Sequence, residues 1–371
     1  MEPFARGEKC LPLQQELIKY ITSIEQKIRS RRISSKAIRR ELSSRRPIPL
    51  SKIEALCLKL KNIKLQNEIA EYAVLLTILR DVGDGLAFTY FDRFDIRPMA
   101  FKPSPGFLSG KEGGRLERQF LRFCFKEKNI AILNDLTNCL RYGDVTVIDK
   151  KNGPTIAEVK SGRRITERGK RQIAGFQKLA KYYREDVIDE LDGFKGPIRR
   201  IALDTEESHH RDELNALIAL SLESGRSSYK QVEEGLFYVV ETEVSIILDE
   251  VIAQIKGTPL VSNINEFKRN NIAYYPFTLS IRCPEHLFRF YSGDFVVLIV
   301  VDSDVISSSL RSQNLHITYL DDESWAVQLS KDDKGEDLPA LKVSSHFWCR
   351  LPAEFLSLKW FFEEIIKMCK R

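Results

Sequence analysis

Asp144, Glu158 and Lys160 combine the side-chain types that could seat a divalent cation and act on a phosphate beside it. Two carboxylates supply hard oxygen ligands, which Mg²⁺ takes together with waters and substrate phosphate oxygens. An ammonium next to such an ion can orient or deprotonate a water and stabilise developing negative charge. Glu158 and Lys160 are two residues apart, so the period of a strand aims both at one face. Their neighbours Ile156, Ala157 and Val159 are apolar, which marks the strand as buried. Buried charges need partners, because desolvation costs several kcal/mol per ion.

Two strands must position these groups. Asp144–Asp149 and Thr155–Lys160 carry β-branched residues, and Lys151-Asn152-Gly153-Pro154 lies between them as turn chemistry. A five-residue connection, Lys150 to Pro154, sets Asp149 opposite Thr155 and Asp144 opposite Lys160, so that all three charges share a face. A four-residue connection shifts the register by one and turns Asp144 to the other side. Convergence therefore requires the longer loop, or a bend or bulge near Asp144. A surface hairpin with a salt bridge is the alternative, and the apolar flanks argue against it.

The flanking pattern predicts a helix over 111–127, opening at Gly113-Gly114 with Leu116, Phe120 and Cys124 on one stripe and Glu117 beside it. A strand follows near 129–133, then the hairpin, a helix over 166–183 and a strand over 198–203. The order is αβββαβ.

Asp144 followed by Glu158-Val159-Lys160 resembles the signature of the PD-(D/E)xK nuclease superfamily, with Gly143 where the name puts proline. The resemblance covers the middle third of the chain and implies a restriction-endonuclease-like α/β core. It also implies Mg²⁺ or Mn²⁺ held by Asp144 and Glu158, with the Val159 carbonyl as a further ligand, and Lys160 positioning the attacking water. Archaeal Holliday-junction resolvases carry a metal-holding glutamate at a similar Gly-rich helix start, which matches Glu117, with Glu112 as a secondary candidate. Gln172, four residues before Phe176, is similar to a Gln-xxx-Tyr feature of some members. The implied reaction is phosphodiester hydrolysis leaving a 5′-phosphate.

Composition is compatible with this. The chain has 371 residues, 43% hydrophobic and 30% charged, which is ordinary for a globular protein of two or three domains. Its longest apolar run, Phe295–Val301, is too short to span a membrane. The first residues lack the apolar core of a secretory signal. Seven cysteines without a C-x-x-C pair argue against a disulfide framework or structural zinc, and a cytoplasmic location is expected. Net charge is +6, but its distribution says more: Lys27–Arg46 and Lys160–Arg184 each hold nine basic residues against one acid. The second run, with Arg163, Arg164, Arg168 and Arg171, lies beside the candidate site and suits a polyanionic partner, most simply DNA.

The rest of the chain reads as a helical N-terminal region (1–104), the nuclease-like core (105–205) and a C-terminal α/β domain (206–371). An amphipathic helix is predicted over 12–29. A capping box at Ser51-Lys-Ile-Glu54 starts a second helix, which Gly83 and Gly85 should break. Phe88–Phe94 reads as packing in preference to base stacking. Strands are expected at 236–240, 277–283, 295–301, 316–320, 325–329 and 341–348, with helices at 212–223, 242–255 and 352–368. The Pro105–Glu112 segment imitates a phosphate loop, but its glycine spacing is one short and Glu112 replaces the required Ser/Thr. His209-His210 has no spaced acidic or cysteine partner for a metal. The expectation is a metal-dependent nuclease; a catalytically idle nuclease-like fold that binds nucleic acid or serves assembly is the alternative. A homodimer or a separate partner subunit is left open.

Overall fold

The computed structural model describes residues 3–44, 50–96, 99, 106–111, 113–149, 153–160, 167–188, 198–199, 205–242, 247–271, 273–322, 325–331 and 341–370. The fold is mixed α/β, mostly helical, with small antiparallel sheets. The chain divides into two compact units, Met1–Ile201 and Ala202–Arg371. Among the described residues no helix is long and apolar enough to cross a membrane.

The first unit begins with two long antiparallel helices, α1 (Pro3–Ser43) and α2 (Lys52–Tyr90). The sequence predicts a helix only to residue 29, yet α1 runs on through the basic stretch. That stretch contains no breaker, and Arg and Lys are good helix formers. Its inner positions, Ile28, Ser35 and Ile38, are buried. Ser35 hydrogen-bonds to Asn62, receives one from Gln66, and Arg31 pairs with Glu68. At the start of α2 the capping box forms as expected, with Ser51 and Glu54 each accepting the other's backbone N–H.

Gly83 and Gly85 do not break α2. Gly83 instead serves a close approach: a Cβ there would lie 2.0 Å from the carbonyl oxygen of Leu136. Only glycine lets the helix press its backbone onto that turn. The aromatic run after it packs as expected, with Phe91 buried and Phe88 and Tyr90 against the same cluster. A single turn, α3 (Arg93–Ile96), follows.

The core comprises α4 (Gly114–Lys126), β1 (Ala131–Leu133), β2 (Val145–Asp149), β3 (Gly153–Ala157) and α5 (Glu167–Glu185). The strands form one antiparallel sheet in the order β1-β2-β3. Alternation along the strands divides the core. Ala131, Leu133 and Val145 pack with Leu17, Ile21, Leu76 and Leu121, while Ile132 packs on the other face with Phe91, Leu179 and Tyr182. Asp149 faces Gly153 and Val145 faces Ala157, so the connection is three residues long, two shorter than expected. A shift of two preserves the face, because side chains alternate with a period of two. The level of Asp144 becomes that of Glu158, not Lys160. β3 also ends at Ala157, so Glu158 and Lys160 lie just beyond the ladder. After α5 come β4 (Val187–Ile188) and β5 (Ile198–Arg199), which pair with each other.

The second unit is built on a four-stranded antiparallel sheet in the order β6-β7-β9-β8, from β6 (Ser228–Glu233), β7 (Leu236–Thr242), β8 (Pro259–Asn263) and β9 (Phe295–Asp302). A second sheet joins β10 (His316–Tyr319), β11 (Trp325–Ser330) and β12 (Leu341–Ser344). Around these strands lie α6 (Arg211–Ser224), α7 (Leu248–Ile252), α8 (Ile264–Asn270), α9 (Pro284–Ser292), α10 (Ser303–Arg311), α11 (Ser345–Ala353) and α12 (Leu358–Lys370).

Strands β6 and β8 have no counterpart in the sequence reading, the helix expected over 352–368 is interrupted between α11 and α12, where Phe355 takes φ +56°, and three other expectations change. Residues 277–283 are not a strand: Phe277 and Ile281, four apart, are both buried, and the Ile281 N–H donates to the Phe277 carbonyl at 2.7 Å as in a helical turn. The 341–348 strand stops at Ser344, whose hydroxyl accepts the Phe347 N–H and caps α11. Of the helix expected over 242–255, Thr242 belongs to β7, residues 243–246 lie outside the described residues, and α7 covers Leu248–Ile252.

Candidate functional site

The site forms where three pieces of the first unit meet at the end of the sheet. α4 contributes Glu117 from its first turn. Its buried stripe is Glu117, Leu121 and Cys124, rotated from the expected Leu116, Phe120 and Cys124. Glu117 is therefore carried inward, with its side chain 4% exposed. The turn after β1, Asn134–Leu136, contributes Asp135. It is braced by Asn134, which donates to the carbonyls of Tyr142 and Gly143 and accepts from Thr146.

Asp144 comes from the entry to β2. Gly143 before it has φ +71°, and a Cβ there would lie 2.5 Å from a methyl of Ile156 and 2.8 Å from the Ala157 oxygen. Proline holds φ near −65° and could not take this conformation. The glycine found in place of the signature proline is thus what this turn requires. Asp144 then bends toward the other strand. Its N–H donates to Ala157, and its Oδ2 accepts the Val159 N–H at 2.9 Å, which aims the carboxylate at the Glu158-Val159-Lys160 segment.

Lys111 joins the three carboxylates. Its Nζ lies 2.8 Å from Glu117 Oε1, 2.8 Å from Asp135 Oδ2 and 3.3 Å from Asp144 Oδ1. The long helices hold the loop that delivers it. Glu25 of α1, fully buried, accepts the N–H groups of Leu108 and Ser109. Arg29 donates to the Ser109 carbonyl and Arg80 of α2 to that of Gly106. Burial works against the Lys111 charge, but hydrogen bonds and attraction from Asp135 and Glu117 outweigh it and hold its pKa above the usual lysine range. Burial raises the pKa of Glu117, Lys111 opposes the rise, and repulsion from Asp144 and Asp135 adds to it.

Of the residues expected from sequence, Asp144 and Glu117 meet at this point, and Glu158 is half-buried beside the segment that Asp144 bonds. Lys160 is exposed to solvent, and among the described residues the ammonium at the carboxylates belongs to Lys111. Gln172, Arg168 and Arg171 lie on α5, but their side chains fall outside the described structure. The helix itself passes close by, since a Cβ on Gly175 would lie 3.0 Å from the Tyr142 ring. Arg163, Arg164 and Glu112 lie outside the described residues. In the second unit, His210 Nε2 lies 2.7 Å from Glu233 Oε1 and His209 Nε2 3.5 Å from Glu207 Oε2, acidic partners that the sequence reading did not find.

Sequence reasoning missed Lys111 and Asp135. Lys111 stood in the imitation phosphate loop, where its charge beside two glycines was the available signal. Asp135 sits in a short turn with no periodicity to mark it. Among the described residues no three His, Cys, Asp or Glu side chains are grouped so as to ligate one ion directly. The donor chemistry still fits a hard divalent cation: three carboxylates from separate elements surround one positive charge, and when all are ionised they exceed it by two. Comparison of the chain with protein-family models, curated proteins and solved structures finds no match.

Proposed function

We propose that the chain is a metal-dependent nuclease of the PD-(D/E)xK type, acting on DNA. The observation that supports this most is the meeting of Glu117, Asp135 and Asp144 around a single cation, with Asp144 also bonded to the Glu158–Lys160 segment. The α4-β1-β2-β3-α5 order is compatible with the superfamily core.

In this reading Asp144, Glu117 and Glu158 are the metal ligands, and Asp135 adds negative charge that favours a divalent ion over Lys111 alone. Bound Mg²⁺ or Mn²⁺ would polarise a phosphoryl oxygen and acidify a water. Lys111 neutralises the carboxylates in the resting state. Lys160, exposed at the end of the hairpin, positions the attacking water against an incoming phosphate. Arg163, Arg164, Arg168 and Arg171, with Gln172, steer the phosphate backbone.

A second reading has an observation of its own. Lys111 pairs with all three carboxylates, and a cluster satisfied by its own ammonium can be purely structural. The chain would then be a nuclease-like fold that binds nucleic acid without cutting it.

One experiment separates them. The protein and its Asp144→Ala and Lys160→Ala variants are incubated with plasmid DNA, linear DNA and RNA, in Mg²⁺, Mn²⁺ or EDTA. Cutting that needs metal and is lost in both variants is expected. Binding without cutting in either metal would leave the second reading.

A further inference from the structure

The first two heptads of α2 carry an apolar seam that no described residue of the first unit covers. Ile53, Leu56, Leu60 and Ile63 are 76, 56, 57 and 54% exposed, and they repeat with spacings of three, four and three. The seam continues through Asn67 and Ala70, both exposed, so Ile53, Leu60 and Asn67 fall at a positions and Leu56, Ile63 and Ala70 at d positions of a heptad. It borders the face of α2 that carries Asn62 and Gln66, which hydrogen-bond to Ser35 of α1, yet its four apolar side chains stay more than half exposed. The partner that α2 already has therefore does not use it.

An a/d seam of this kind is what a coiled coil packs, and a polar Asn at an a position is a device that fixes register. Lysines line the seam. Lys52 and Lys59 stand on one edge and Lys64 on the other, all exposed, with Lys61 just beyond. Three occupants could cover such a surface, and this charge distinguishes them. A second copy packed in parallel would set Lys59 against the Lys64 of its partner helix, a like-charge contact that disfavours pairing. A lipid surface calls for a broad apolar face with aromatic anchors, whereas this seam is narrow and holds no aromatic residue. A helix with its own a/d seam and acidic flanks matches both features.

We propose that α2, from Ile53 to Ala70, is the docking surface for an acidic amphipathic helix of another protein, joined as a left-handed coiled coil. This assignment does not depend on the nuclease reading, because it uses no residue of the carboxylate cluster.

The test uses the full chain and a fluorescent synthetic helix of about 25 residues, with Ile and Leu at a and d, one Asn at a, and Glu at e and g. A control helix carries Lys in place of Glu. Fluorescence anisotropy is expected to show saturable binding of the acidic helix, weaker by roughly tenfold or more for the basic one. Leu56→Glu with Leu60→Glu should abolish binding. Lys52→Glu, Lys59→Glu and Lys64→Glu together should exchange the preference, so that the basic helix binds better; circular dichroism checks that each variant keeps its helix. The proposal is overturned if neither helix binds. It is also overturned if sedimentation shows a self-associated chain that Leu60→Glu separates, or if anionic phosphatidylserine vesicles or duplex DNA capture the chain through the same leucines.

Discussion

Each unit of the molecule surrounds a cation with carboxylates, and the two arrangements differ in what they leave over. In the second unit Arg350 is 2% exposed and makes a two-pronged contact with Glu354, at 3.1 and 3.2 Å, while also donating to Glu207. The Phe347 ring lies 5.5 Å away, and the Tyr274 hydroxyl donates to Glu354. The guanidinium is rigid and buried, and among the described residues it faces two carboxylates. In the first unit Lys111 is a flexible ammonium, one-third exposed, facing three carboxylates. A closed pair of this sort fixes packing. At Lys111 the ionised carboxylates exceed the cation by two, against one at Arg350, and that larger surplus, open to solvent, is what sets the candidate site apart from a structural network.

The comparison can be broken most directly at Arg350. Arg350→Leu should lower stability by about 3–5 kcal/mol, because it strands Glu354 and Glu207 without their cation. All three tryptophans, Trp325, Trp348 and Trp360, belong to the second unit, so their fluorescence during urea unfolding reads that unit alone. A change of only about 1–2 kcal/mol would place Arg350 in the same category as Lys111.

Lys111→Met should cost less at neutral pH, about 1–2 kcal/mol, because solvent screens a partly exposed cluster. Its pH dependence is the sharper test. The folded pKa of Glu117 lies above its unfolded value of about 4.3, so its contribution to stability declines as pH rises from there through the folded value. Without Lys111 that rise is larger. The gap between variant and parent, followed by circular dichroism, should therefore widen from about pH 4 toward neutrality and close in acid. Millimolar Mg²⁺ or Mn²⁺ should recover part of the loss, since the carboxylates regain a cation.

Asp135→Asn should change stability by less than about 1 kcal/mol, since the amide oxygen still accepts from Lys111. It should lower the Glu117 titration midpoint seen by NMR, as one source of repulsion is gone. Lys160→Ala should be the quietest, within about 0.5 kcal/mol in unfolding, because its side chain is exposed. On the nuclease proposal this same variant loses cutting, so its stability and activity should part company.

What could be read from the chain alone was local. The hairpin, the capping box at Ser51 and the order of elements from α4 to α5 follow from turn chemistry and hydrophobic period, which act over a few residues. Asp144 and Glu117 were legible because each stands at a marked place, beside a turn glycine and in the first turn of a helix. Pairing across distance was not legible. The hairpin's three-residue connection, the rotation that buries Glu117, and the use of Gly83 as a contact with Leu136 instead of a helix stop each depend on which surfaces meet. Lys111 reaches the carboxylates only because Glu25, Arg29 and Arg80, distant in the chain, hold its loop. Sequence supplied the charged groups and the short elements that carry them. The tertiary structure decided which cation they share, because a loop held by backbone hydrogen bonds to remote side chains leaves no periodic trace in the residues it presents.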